Sequence, residues 1–173
     1  MKKSLIALTV VGLLAGCGDA TTHEQNADTK VSVKSVSMSE KLNEIYQGYF
    51  TENLDLNPLT ATYIGREGYN DKLPNFLSPA HRKKQRQLEQ TYLDKIDSID
   101  IDSLTEKQKI SYQIFRQDRI NAIAGFAFPS HLIPINQFYN LANQYAMLGS
   151  GDSAQPFNDA EDYANWAKRM HQI

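Results

Sequence analysis

A chain of 173 residues, 41% apolar and 22% charged, is long enough for one folded domain. Its formal net charge of −2, from 18 Lys and Arg against 20 Asp and Glu, excludes a global attraction to nucleic acid or to anionic lipid. Its single cysteine excludes an internal disulfide framework.

The N-terminus reads MKKSLIALTVVGLLAGC. Lys2 and Lys3 precede an apolar run from Leu5 to Leu14, and small residues follow, which is the three-part layout of a secretory leader over residues 1–16. The run is about half of the ~20 residues that a membrane-spanning helix needs. Leu14-Ala15-Gly16-Cys17 is similar to the lipobox of bacterial lipoproteins. That resemblance implies that Cys17 is acylated, becomes the mature N-terminus and engages the lipid bilayer. It also explains why an exported chain keeps one unpaired thiol. Gly18, rather than Asp, follows the cysteine, which by the same resemblance places the anchor in the outer membrane, on its periplasmic face.

Residues 17–38 hold small polar residues and isolated valines, with no aromatic side chain. They read as a flexible tether spanning about 25 Å root-mean-square as a coil. Residues 39–173 read as an all-α body. Leu42, Ile45, Tyr46, Tyr49 and Phe50 follow helical spacing behind Ser39 as cap. Pro58 opens a short helix that Gly65 closes with a left-handed residue. Ser78-Pro79 opens a third helix with a stripe of Leu88, Tyr92, Ile96 and Ile99, and Thr105 with Gln108 forms a capping box for a fourth running to about Ala124. Ile110, Tyr112, Ile114, Phe115, Ile120 and Ile123 point around several sides of that helix, so burial on many sides is expected. A short helix is expected over Asn136 to Met147. In the final stretch DAEDYANWAKRMHQI, Asn158 and Glu161 are the expected caps, and Tyr163, Trp166, Ala167 and Met170 form one face. No stop signal follows Met170, which reads as a chain cut within an element whose missing C-terminal part completes the fold.

The candidates for chemistry are sparse. HEQNA at His23 begins like a zinc-binding HExxH helix but has Ala27 in place of the second His. HRKKQR at His81 reads as a solvated helix face rather than a nucleic-acid patch, because no aromatic residue is interleaved. His131 beside Ser130 reads as a core or loop histidine. Asp94, Asp97, Asp100 and Asp102 lack the Gly and the oxygen spacing of a calcium loop, and read as a solvated junction.

Four stretches carry a resemblance: NPLTATYIGREGYNDKLPNFLSP, LTEKQKISYQIFRQD, FPSHLIPINQFYN and QPFNDAEDYANWAKRM. In this order they resemble domain-of-unknown-function family 885, exported and often lipid-anchored bacterial proteins with a long helical body similar to helical zinc metallopeptidases. The resemblance implies zinc for the full-length family and a peptide as substrate. No position here matches the HExxH-type stretch, so no catalytic residue and no metal ligand carries over. It also implies that N-terminal helices wall a substrate channel, with Asn136 and Gln137 as wall candidates and capping of a helix after Pro134 as their other reading. The alternative function is a non-catalytic envelope lipoprotein that binds a partner through its helices.

Overall fold

The computed structural model describes residues 37–133, 135–137 and 140–172. The expected leader, Cys17, His23 and nearly all of the expected tether lie outside the described residues, as do Pro134, Phe138, Tyr139 and Ile173. Among the described residues every regular element is helical: α1 (Met38–Leu56), α2 (Pro58–Tyr63), α3 (Pro79–Asp97), α4 (Glu106–Gly125), α5 (Leu141–Leu148) and α6 (Ala160–Met170), with short 3₁₀ helices at Ile101–Ser103 and Ser130–Leu132. The all-α class therefore holds.

Local chemistry sets most of the boundaries. Ser37, not Ser39, caps α1, because Glu40 sits three residues on and returns the bond to the Ser37 amide at 2.8 Å. Ser78 and Thr105 cap α3 and α4 as expected, and Gly65 adopts φ 71° behind α2. Asn140 caps α5, so that helix starts later than Asn136. At α6 the cap is Asp159, bonded from the Asp162 amide at 3.0 Å, whereas Asn158 donates its own amide to Asp162. The expected Asn158–Glu161 pair is one residue out of register because two acids compete for the same role. The helix closes at Met170, and Gln172 folds back, donating to the carbonyls of Asp71 and Lys168 and accepting from the Leu73 amide.

The core is made where α3 packs against both α1 and α4. Leu42, Ile96, Ile99, Leu104 and Tyr112 form one buried cluster, with Ile45, Tyr46, Leu93 and Phe115 against it. The expected stripe on α3 is thus the seam of the bundle. The expectation for α4 fails. Tyr112 and Arg119 are buried, but Ile110 and Ile114 stand open to solvent, because only one side of α4 meets α3. On α6, too, Tyr163 and Ala167 are exposed, while Arg169 of the same helix is wholly buried. The acidic junction behaves as expected: Asp97 is exposed and takes both Arg116 nitrogens, at 2.6 and 3.3 Å, tying α4 to α3.

Gly48 lies mid-helix in α1, where Ala would ordinarily stabilise by about 1 kcal/mol. Here a Cβ would sit 2.6 Å from the hydroxyl of buried Tyr92, which is pinned by a 2.7 Å bond to Glu52. Gly48→Ala is expected to destabilise by about 1–3 kcal/mol in thermal or denaturant melts, as overpacking does. Combining it with Tyr92→Phe should cost less than the sum of the two changes. Strict additivity would show that the close approach is relieved some other way.

Candidate functional site

Two groups of polar side chains are built into this body. The first lies between α1, α3 and α4. Tyr49 on α1, Glu89 on α3 and Arg119 on α4 meet because each belongs to the inward face of its helix, one turn from Tyr46, Tyr92 and Phe115 respectively. Tyr49 donates its hydroxyl to Glu89 Oε1 at 3.0 Å, and Arg119 Nη1 lies 3.1 Å from Glu89 Oε2. The Arg119 guanidinium also stacks 3.7 Å from the Tyr49 ring centroid and 4.9 Å from that of Phe115. Burial, reinforced by the charge of Asp118, pushes the Glu89 carboxyl up to about 7. The guanidinium pulls the other way but is not aligned as a hydrogen-bond donor to Oε2, so the upward shift prevails. Burial likewise lowers Arg119 from the ordinary guanidinium value. Glu89 and Arg119 are both closed to solvent, so this layer orders the helices and presents no surface to a substrate.

The second group is centred on Arg169, which is 0% exposed. Its guanidinium donates to Lys72 O (3.1 Å), Gln155 Oε1 (2.6 Å), Thr62 Oγ1 (2.7 Å) and Tyr69 O (2.5 Å). One side chain thereby joins α6 to α2, to the loop after it and to the segment before α6. Burial lowers this guanidinium too, with Asp71 pulling back. Asp71 also pairs with Lys168, and that partner, ahead of the opposing effect of burial, holds its carboxyl below the usual range. Above Arg169, with Thr62 in its lining, opens a polar cavity of about 570 Å³ bordered by Arg66, Glu67, Asn158, Glu161 and Asn165. Its size falls within the range of small-molecule sites. It contains no nucleophile paired with a base. A second cavity of about 470 Å³, lined by Leu73, Phe76, Leu77, Leu141 and Tyr145, is mainly apolar.

Asn136 and Gln137 are exposed in the segment before α5 and belong to the lining of neither cavity. His81, expected on a solvated face, is buried against the ring of Phe76, at 5.4 Å between centroids, and burial followed by the Lys84 charge lowers its pKa. His131 is half-buried in the 3₁₀ helix Ser130–Leu132. Sequence reasoning missed Glu89, Arg119 and Arg169 because charged residues default to the surface. The one available signal was spacing, since Asp162, Trp166 and Arg169 share an i, i+4, i+7 stripe.

A family described as "Bacterial protein of unknown function (DUF885)" matches residues 58–173. The chain belongs to the DUF885 family. The match takes in α2 through α6, and therefore Glu89, Arg119 and Arg169, while α1 precedes it. No solved structure and no curated protein matches this DUF885 chain significantly. Among the described residues no group of three or more His, Cys, Asp or Glu side chains is placed to hold a metal ion. Among them, too, no helix is long and apolar enough to cross a membrane.

Proposed function

We propose that this DUF885 chain is the N-terminal, helical part of an exported protein anchored by lipid on Cys17, and that it walls a site whose metallopeptidase-like machinery lies outside these residues. The observation that carries the wall reading is α4. Ile110 and Ile114, one turn apart, keep their side chains in the open on a helix whose other side is core. An apolar outer stripe of that kind calls for a further packed layer. Asn136 and Gln137, exposed and polar, are the residues we assign to the channel side. The address we propose, the outer membrane on its periplasmic face, is supported by the leader-like layout of residues 1–16, the lipobox-like stretch Leu14-Ala15-Gly16-Cys17 and the Gly18 that follows it.

The test has two readouts. In cells fed labelled palmitate, the protein should take up label and fractionate with membranes, and Cys17→Ala should lose both. An unlabelled wild-type chain would remove the anchor. Peptide hydrolysis by the purified chain is expected to be absent, and chelator-sensitive hydrolysis would overturn the wall reading. The polar 570 Å³ cavity favours a second reading, a non-catalytic lipoprotein that binds a small polar ligand between α2 and α6. Saturable binding of such a ligand, lost on Glu161→Ala, would favour it over the first.

A further inference from the structure

From Ile120 to Gly151 the sequence has no Lys, Arg, Asp or Glu, although 22% of the whole chain is charged. This run holds a concentration of exposed apolar side chains: Phe128 is 67% exposed, Leu132 70%, Ile133 68% and Ile135 62%. Isolated exposed apolar residues are ordinary, but four within eight positions make a surface feature. The opposite composition stands at its start. Between Asp71 and Glu89 there is no acidic residue, and the first half of α3 carries Arg82, Lys83, Lys84 and Arg86. Arg82 lies over the Phe126 ring at 5.6 Å from its centroid, and Phe126 shares a surface recess with Arg82, Lys83 and Arg86. Phe126 is two residues from Phe128. The cationic end of α3 and the apolar segment therefore meet at one point on the body.

We propose that this junction is a membrane-docking face, with Phe128, Leu132, Ile133 and Ile135 entering the headgroup–acyl boundary of an anionic bilayer while Arg82, Lys83 and Arg86 meet its phosphates. Cations beside exposed aromatic and aliphatic residues are the composition that interfacial binding requires, the apolar part by area and the cations by the surface potential. Charge complementarity selects the occupant. A further layer of protein would be served by the apolar segment alone and gains nothing from three adjacent, mostly exposed cations with no acid between them. The inference does not depend on acylation of Cys17.

The probe is an environment-sensitive fluorophore on the full chain carrying Cys17→Ala and Leu132→Cys, mixed with vesicles of phosphatidylcholine alone or with phosphatidylglycerol. Fluorescence at position 132 should shift to the blue and be quenched by lipids spin-labelled near the headgroup, but only when phosphatidylglycerol is present. A fluorophore on Glu106→Cys, at the exposed far end of α4, should report no change. Adding Arg82→Glu and Arg86→Glu should weaken partitioning by about tenfold or more, as should high salt. The proposal is overturned if position 132 stays in water on anionic vesicles, if neutral vesicles serve equally, or if charge reversal leaves partitioning unchanged. A blue shift without vesicles, accompanied by association of the chain, would assign the face to a protein partner instead. Because Cys17 is replaced throughout, failure here leaves the lipid-anchor reading untouched, and palmitate labelling tests that separately.

Discussion

Arg169→Ala is expected to lower stability by about 4 kcal/mol, moving the melting temperature down by on the order of 10 °C. The substitution removes a side chain that is wholly buried and strands the four oxygens it serves: those of Thr62, Gln155, Tyr69 and Lys72. A buried acceptor left without its donor costs roughly 1–3 kcal/mol, and the space left by the guanidinium adds to that unless water enters. Arg169→Lys should recover only part of the loss, because an ammonium is a point charge and cannot span a fork directed at two carbonyls of one loop and two side chains. The contrast is Arg116→Ala. That arginine also makes a two-pronged contact, with Asp97, but both partners are 41% exposed, and the expected cost is below about 1 kcal/mol. Thermal melts of the three variants decide the matter. If Arg169→Ala is no worse than Arg116→Ala, α6 is not held by its buried arginine.

The second large effect is a dependence of stability on pH through Glu89. Its carboxyl, at about 7 in the folded chain against an ordinary 4.5, binds its proton more tightly when folded than when unfolded. Its contribution is therefore fully present below about 4.5, is lost as pH rises to 7, and stays lost above that. A shift of this size corresponds to as much as about 3 kcal/mol. His81 works in the opposite direction. Its pKa is lowered by burial, so its contribution falls as pH drops below the ordinary histidine range. The two windows overlap, and the raw pH profile of the wild-type chain will not separate them. The difference between wild type and Glu89→Gln does. Denaturant midpoints should nearly coincide at pH 4.5, and the variant should gain on the wild type up to about pH 7 and remain ahead above it. A wild-type chain more stable than Glu89→Gln at pH 8 would mean that Arg119, 3.1 Å away, overrides burial and holds the carboxylate ionised.

Much of the architecture was legible in the sequence because it rests on short-range rules. Pro58, Gly65, Ser78, Thr105 and Gln108 act within one helical turn of themselves, and they mark the ends of α2, α3 and α4 where expected. The stripe on α3 is similarly local, a matter of 3.6-residue spacing, and it became the seam of the core. Ser37 and Ser39 could be ranked, since Glu40 stands three residues after the first and apolar Leu42 three after the second, whereas Asn158 and Asp159 each have an acid three residues on and the sequence does not choose between them.

What the sequence by itself determined is the helical class, most helix starts and the family stretches. Only the tertiary structure decided which charged residues go inside. Glu89, Arg119 and Arg169 look like surface residues at their own positions, and each is buried because groups far along the chain converge on it: Tyr49 on Glu89, 40 residues away, and Thr62 on Arg169, 107 residues away. The structure also decided which apolar residues stay outside. Ile110 and Ile114 have the composition of core, but burial requires a neighbour, and α3 covers only the side of α4 that carries Tyr112 and Arg119. Spacing along one helix says which residues share a face; it does not say whether another element will come to cover it.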